Sequence, residues 1–227
     1  MKQKMLASTP PNLREARSEG KPTVGSGRIY PIDEKDIKVK DFQLPKHYMR
    51  LYGMDVGWKA TAALWGAWDR DNDVIYIYSE YKRGGEEGLD MPLVHASTIK
   101  ARGEWIKGTI DPASRGRTQT DGEQLYMTYK KHGLKIYPAN NSVETGIFNV
   151  WERLNSGRLK IFESCSMVLR EMSLYHRDDN GKIVKTNDHL LDCLRYLIAA
   201  DSSMWSYPQA PENKQKIVTL SDYAMRA

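Results

Sequence analysis

The sequence predicts a mixed α/β fold in which helices cover both faces of a central sheet. Three apolar runs, at residues 49–54, 60–68 and 74–81, follow one another closely. Such spacing is typical of an antiparallel meander. From residue 91 onward, helical patterns alternate with short apolar runs. A meander followed by alternating helices and strands predicts a sheet that contains both parallel and antiparallel pairs.

Periodicity and turn residues place the remaining elements. Apolar residues at helical spacing predict an amphipathic helix over residues 91–105. An Asn-Gly pair at residues 180–181 favours a tight turn, which predicts a hairpin over residues 175–185. The other predicted elements are helices over 121–132, 142–154, 164–174 and 186–200, and strands over 108–111, 134–137 and 158–162.

The chain of 227 residues is long enough for one sizeable α/β domain with additional segments. Proline, glycine and serine interrupt the first 30 residues, and charged and apolar groups alternate over residues 31–48. Residues 1–48 are therefore predicted to be a linker and a flexible entry arm. Residues 49–205 form the predicted domain, and residues 206–227 form a polar, flexible tail.

Composition narrows the possible functions. The net charge of +5 and the pI of about 9.0 suit a partner that carries phosphates, although this signal alone is weak. The two cysteines, Cys165 and Cys193, form no C-x-x-C pair, which argues against a thiolate zinc site and fits a reducing compartment. No apolar run approaches the length of a membrane span, and no nucleotide-binding P-loop motif is present.

Carboxylates stand at three places where their chemistry needs an explanation. Asp55 lies within the first strand, where burial of an unpaired charge costs several kcal/mol. Asp111 ends the strand at residues 108–111. Asp188 and Asp192 are four residues apart with His189 between them, so one end of the last helix presents two carboxylates and an imidazole. Two structural interpretations stay open: Asp55 bonds a neighbouring loop, and Asp188 is an ordinary acid at a helix start.

Such a set of carboxylates suits phosphodiester hydrolysis assisted by two metal ions. Mg²⁺ and Mn²⁺ prefer carboxylate oxygens as ligands. Two such ions about 4 Å apart activate the attacking water and stabilise the leaving oxygen. The sequence therefore predicts a site for two Mg²⁺ or Mn²⁺ ions.

Three stretches give the chain a resemblance to a known family. They read YGMDVGW at residues 52–58, IDPAS at 110–114 with QTDG at 119–122, and NDHLLDCLRY at 187–196. In these stretches the chain resembles the nuclease domain of the large terminase subunit, which belongs to the DNA-packaging motor of tailed bacteriophages. The resemblance extends over about residues 7–205. The last stretch is the most specific of the three, and Asp111 stands where some relatives carry glutamate.

The resemblance implies an RNase H-like fold and a metal-dependent endonuclease that cuts concatemeric double-stranded DNA at the initiation and termination of packaging. It implies catalytic, metal-binding acids at Asp55, Asp111 and Asp192, with Asp188 and His189 beside them as further candidate metal ligands. The implied partners are an ATPase domain upstream in the same polypeptide, the small terminase subunit and the portal protein, with no membrane. The implied location is the cytoplasm of the host cell.

Two alternatives remain at this point. Another RNase H-like nuclease, of the resolvase or transposase type, would fit the acids but not the IDPAS, QTDG and NDHLLDCLRY stretches. A non-catalytic DNA-binding or assembly module would keep the acids as structural groups. Metal-dependent cleavage separates the enzymes from that module.

An acidic centre repels phosphates, so basic residues around it are expected to hold DNA. The candidates nearest in sequence are Arg115 and Arg117, after Asp111, and Lys182 and Lys185, in the predicted hairpin. The alternative interpretation is that these are ordinary solvated charges.

Overall fold

The computed structural model describes residues 27–57, 60–84, 91–115 and 121–208. The strands are β1 (Gly27–Arg28), β2 (Lys38–Val39), β3 (Met49–Val56), β4 (Ala60–Asp69), β5 (Val74–Gly84), β6 (Gly108–Ile110), β7 (Ile136–Pro138), β8 (Leu159–Phe162) and β9 (His176–Arg177). The α-helices are α1 (Glu34–Ile37), α2 (Pro92–Lys100), α3 (Asp121–Lys131), α4 (Val143–Asn155), α5 (Ser166–Leu174) and α6 (His189–Ile198). Two short 3₁₀ turns cover Pro112–Arg115 and Ser202–Met204.

The predicted meander is confirmed by β3, β4 and β5, which pair antiparallel in sequence order. Parallel strands extend it on both sides, so that the seven-stranded sheet seen in the described residues runs β2-β8-β5-β4-β3-β6-β7. Residues 61–67 of β4 are all buried. Because this central strand is covered on both faces, its sequence is continuously apolar rather than alternating.

Helices cover both faces of the sheet, as predicted. On one face α4, α5 and α6 enclose a core that includes Leu51 and Leu64, and on the other α2 and α3 enclose a core that includes Tyr52 and Trp65. Since successive residues of a strand face opposite sides, the odd-numbered positions of β3 face α6. No helix in the described part of the chain is both long and apolar enough to cross a membrane.

Helix α6 packs its backbone directly against β3 at Gly53. A β-carbon built on Gly53 would lie 2.0 Å from the backbone oxygen of Cys193, on α6. Only glycine, which has no β-carbon, permits this approach of helix to strand. Gly53, the first glycine of the YGMDVGW stretch, therefore sets the distance between β3 and the helix that carries the candidate site residues.

Two helix boundaries differ from those predicted. The helix predicted over residues 91–105 ends at Lys100, and Gly103, with φ +137°, turns the chain away before Trp105. The last helix begins at His189 rather than at Thr186 or Asn187, because Asn187 has φ +54°, which a right-handed helix does not accommodate.

The prediction of a flexible arm is corrected for the part of residues 1–48 that the structure describes. Strand β2 pairs with β8 and forms one edge of the main sheet. Ile29, Tyr30 and Ile37 are buried in the core. Two-residue strands carry too little periodicity for sequence analysis to detect.

The predicted hairpin forms only in part. Strand β9 pairs antiparallel with β1, and the returning segment contributes a single bridge between Arg177 and Ile183. The predicted turn is present, with the Gly181 amide donating to the Asp178 carbonyl at 2.9 Å. At the other end of the chain, Ser206 exchanges two backbone hydrogen bonds with Arg50, so the predicted tail begins with an ordered residue.

The close approach at Gly53 yields a stability prediction. Replacing Gly53 with alanine forces α6 away from β3, and overpacking of this kind costs about 3 kcal/mol. Gly57→Ala is the matched control, since its β-carbon would come no closer than 3.4 Å to another atom. Urea unfolding measures both variants. Equal stability of Gly53→Ala and the wild type would contradict the packing described.

Candidate metal centre

Asp55 and Asp111 stand side by side at the ends of two neighbouring parallel strands. Met54 of β3 pairs with Ile110 of β6, and the Asp111 amide donates to the Met54 carbonyl at 3.1 Å. Asp55 follows Met54, and Asp111 follows Ile110, so both acids occupy equivalent positions one residue further along. Both positions face the side of the sheet that α6 covers.

Helix α6 brings His189 directly to Asp55. The Nδ1–H of His189 donates to Asp55 Oδ2 across 2.7 Å, and the side chains are 39% and 15% exposed. The hydrogen bond from Asp55 raises the pKa of His189 above its ordinary value, although burial opposes the shift. His189 therefore supplies positive charge to the Asp55 carboxylate when the imidazole is protonated.

Asp192 is held by a cation from its own helix. Its Oδ1 accepts hydrogen bonds from Arg195 Nε at 3.1 Å and from Arg195 Nη2 at 2.6 Å, and the Arg195 side chain is only 3% exposed. Burial raises the pKa of Asp192, Arg195 opposes the shift, and the charges of Asp188 and Asp55 add to it. The ionised form of Asp192 is thus disfavoured by its surroundings, which is a condition that a bound cation would relieve.

The Tyr196 hydroxyl lies within electrostatic range of all three predicted acids. Burial raises the pKa of the Tyr196 hydroxyl far above its ordinary value, and the charges of Asp111, Asp192 and Asp55 raise it further. A single side chain therefore senses all three carboxylates. Asp55 and Asp111 thus lie on neighbouring strands, and Asp55 contacts the helix that carries Asp192, while their role as metal ligands stays a prediction.

Asp188 lies immediately before α6 but does not cap it through its side chain. Its backbone carbonyl accepts from the Asp192 amide at 2.9 Å, and its charge raises the pKa of Asp192. Among the described residues, the amides of the first helical turn are bonded instead by Glu171, from α5. The interpretation of Asp188 as an ordinary acid at a helix start therefore stays open, without a capping hydrogen bond from its side chain.

The donor set fits Mg²⁺ or Mn²⁺ by its chemistry, since carboxylate oxygens predominate. In this conformation His189 and Arg195 occupy one oxygen each on Asp55 and Asp192, and the described residues donate no hydrogen bond to the second oxygen of either acid. No three His, Cys, Asp or Glu side chains of the described ranges are placed to hold an ion together. An ion shared by three of these acids would therefore require their carboxylates to move closer together.

The predicted DNA-contacting residues fall into two groups. Lys182 and Lys185 are exposed in the segment that leads into α6, and neither forms an ion pair with another described residue. The backbone amide of Lys182 donates to Asp178 Oδ1 at 2.8 Å, which fixes the turn. Arg117 and the side chain of Arg115 lie outside the described residues.

Sequence reasoning missed two residues that shape the centre. Glu171 and Lys82 form an ion pair of 2.7 Å beside the start of α6, although 89 residues separate them in the chain. Neither residue belongs to a recognisable motif, and no local spacing relates them. Arg195, in contrast, lies three residues after Asp192, and that spacing was a usable signal for their ion pair.

Comparison with known proteins places this fold. Residues 52–201 match a family model described as the terminase RNaseH-like domain. The large terminase subunit of Salmonella phage P22 is 37% identical over 205 residues, which make up 86% of this chain and 40% of that protein. The structure of the P22 large terminase nuclease domain matches with a TM-score of 0.70 and 34% identity, over 78% of this chain and 93% of that one. The large terminase of a thermophilic bacteriophage shares the fold, with a TM-score of 0.73 and 24% identity over 87% of this chain and 50% of that one.

These findings identify the class of domain as RNase H-like. More particularly, the chain belongs to the terminase RNase H-like domain family. The resemblance and the fold class predicted from the sequence are both confirmed. The chain spans about two fifths of the length of the curated relatives that it matches, and it corresponds to the nuclease domain of a large terminase subunit.

The His189–Asp55 hydrogen bond yields a pH prediction for the chain in EDTA. The raised pKa of His189 means that its contribution to folding stability is fully present below about pH 6.5. That contribution is lost as the pH rises through the pKa of the folded state. Asp55→Asn should lower the titration midpoint of His189, measured by NMR of the imidazole resonances, without moving the other histidine resonances. An unchanged His189 midpoint in Asp55→Asn would show that the pair does not form.

Proposed function

We propose that this chain is a metal-dependent DNA endonuclease domain that cuts concatemeric double-stranded DNA at the initiation and termination of viral genome packaging. The observation that supports the proposal is that Asp55 and Asp111 lie on neighbouring strands and that Asp55 contacts α6, which carries Asp192, in a chain of the terminase RNase H-like family. The reaction class is hydrolysis of a phosphodiester bond with two Mg²⁺ or Mn²⁺ ions.

Each residue of the centre has a definite task in this proposal. Asp55 and Asp111, on rigid strand ends, and Asp192, on α6, would hold the ions, with Asp188 close by. Bound divalent ions supply a water of lowered pKa and stabilise the leaving oxygen. His189 orients Asp55 through Nδ1, which leaves Nε2 as the ring nitrogen facing water or a phosphate. Arg195 orients Asp192 and balances its charge while the carboxylate is buried.

The other parts of the packaging machine are proposed from the family. An ATPase domain in the same polypeptide would drive DNA movement, and its linkage to this domain fits the fraction of the relatives that the chain spans. The small terminase subunit and the portal protein are the proposed protein partners, and the host cytoplasm is the proposed location. Double-stranded DNA is the proposed substrate.

A second candidate function is a non-catalytic DNA-binding or assembly module. One observation favours it: His189 and Arg195 already compensate two of the three acids, as they would in a purely structural cluster. A resolvase-type or transposase-type nuclease has no such support, because the family match covers residues 52–201. Cleavage assays decide between the two remaining candidates.

The nuclease proposal predicts that the chain nicks and linearises plasmid DNA in Mn²⁺ or Mg²⁺ and is inactive in EDTA. Asp55→Asn and Asp192→Asn should each reduce the cleavage rate by at least about 100-fold, because loss of one ligand weakens the binding of the two metal ions. Asp201→Asn is the matched control, since Asp201 is an exposed acid beyond the C-terminal end of α6, away from the first turn that carries His189 and Asp192. Cleavage that persists in both site variants, or a wild type that cuts nothing, would overturn the nuclease proposal.

A further prediction concerns the affinity of the chain for DNA. Lys182→Ala with Lys185→Ala should weaken binding to all DNA sequences and reduce the slope of log K against log salt by up to about two phosphate contacts. The control is Lys131→Ala with Lys135→Ala, an exposed pair that removes the same charge at the opposite end of the parallel strands. Fluorescence anisotropy across a salt series measures both. Identical slopes and affinities for the two double variants would leave Lys182 and Lys185 without a role in binding.

A further inference from the structure

The start of α6 is held by a carboxylate from the neighbouring helix. Glu171 of α5 is 5% exposed, and its Oε2 accepts from the amides of Leu190 at 2.8 Å and Leu191 at 3.3 Å. These amides belong to the second and third residues of α6, which have no acceptor within their own helix. A carboxylate at this position also interacts favourably with the helix dipole.

The second oxygen of Glu171 is anchored to the sheet. Its Oε1 accepts from Lys82 Nζ at 2.7 Å, and Lys82 belongs to β5. Burial raises the pKa of Glu171, while Lys82 and the two amides of α6 oppose that shift. One buried carboxylate thus connects three elements of the fold: β5, α5 and the first turn of α6.

The turn held in this way is the one that carries the candidate site. His189 is the first residue of α6, and Asp192 is the fourth. Asp188 supplies no side-chain cap, so among the described residues Glu171 is the side chain that bonds these amides. A shift of the first turn would change the distances from Asp192 and His189 to the strand acids, whose own positions are fixed by β3 and β6.

We propose that Glu171 is a positioning residue of the nuclease, which sets the geometry of the metal centre by fixing the first turn of α6 against β5. This inference rests on the proposed function, and it assigns Glu171 no contact with metal or DNA. Mutation of a residue that holds a metal ligand in place without touching the metal typically changes metal affinity or activity by about 10- to 100-fold.

The chain contains a matched control for this proposal. Glu80 of β5 also caps a helix, α5, but through both oxygens: one accepts from the Met167 amide and the other from the Val168 amide, both at 2.9 Å. These amides are again the second and third of their helix. Helix α5 carries Glu171 but no candidate metal ligand. Its buried Val168 and Met172 anchor the helix, and with it Glu171, to the core when Glu80 is lost.

The experiment compares Glu171→Ala, Glu171→Gln and Glu80→Ala with the wild type. Two quantities are measured: the dissociation constant for Mn²⁺ alone, from the EPR signal of the free ion, and the plasmid cleavage rate at saturating Mn²⁺. Melting temperatures in EDTA show how far each variant is destabilised. We expect Glu171→Ala to raise the Mn²⁺ dissociation constant at least about tenfold. Glu80→Ala should change it less than about twofold at a comparable loss of melting temperature.

Glu171→Gln separates geometry from folding if the alanine variant does not fold. The glutamine carbonyl oxygen still accepts from the α6 amides but loses the charge that pairs with Lys82, so the Mn²⁺ dissociation constant should lie between those of the wild type and Glu171→Ala. Equal Mn²⁺ dissociation constants for the Glu171 variants and Glu80→Ala would overturn the inference. A wild type that binds Mn²⁺ but cleaves no DNA would overturn the nuclease proposal instead, and the binding comparison would still decide the role of Glu171.

Discussion

The contact between α6 and β3 at Gly53 is the constraint on which the centre depends. Because the backbone oxygen of Cys193 fills the space of a β-carbon at Gly53, the helix lies directly on the strand. The next position of β3 that faces the helix is Asp55, and one turn earlier on α6 is His189, which bonds it. Asp111 joins them because β6 pairs in parallel with β3. Packing of the backbone thus decides which side chains meet.

The buried carboxylates of the structure are paired with basic side chains, and divalent ions would compete with some of these side chains. Arg195 supplies positive charge to Asp192, Lys82 does the same for Glu171, and His189 does so for Asp55 when its imidazole is protonated. Buried acids need such partners, because an unpaired charge in the interior is costly. For Asp55 and Asp192, divalent ions would take over this compensation when the centre is loaded. Glu171 keeps its partners, since they are backbone amides and a lysine of the scaffold.

Sequence reasoning succeeded where the pattern was local and long. The meander and the alternation of helices and strands follow from periodicity. Asp55 was selected as a charge within an apolar strand and Asp111 as the acid that ends a strand, and their role as metal ligands stays a prediction. It failed where structure depends on distant or very short features. The ion pair of Lys82 and Glu171 joins residues 89 positions apart, and strand β2 consists of two residues. The start of α6 was misplaced because a positive φ at Asn187 leaves no mark in the sequence pattern.

The central claim is that α6 and β3 bring Asp55, Asp111 and Asp192 into one site for divalent ions. A crystal of this chain grown or soaked in Mn²⁺, with data collected for anomalous scattering from manganese, tests it most directly. The account predicts two anomalous peaks about 4 Å apart, within coordination distance of these three carboxylates and with the Asp192–Arg195 contact lengthened. Manganese bound only elsewhere on the surface, with the His189–Asp55 and Arg195–Asp192 pairs intact, would contradict it.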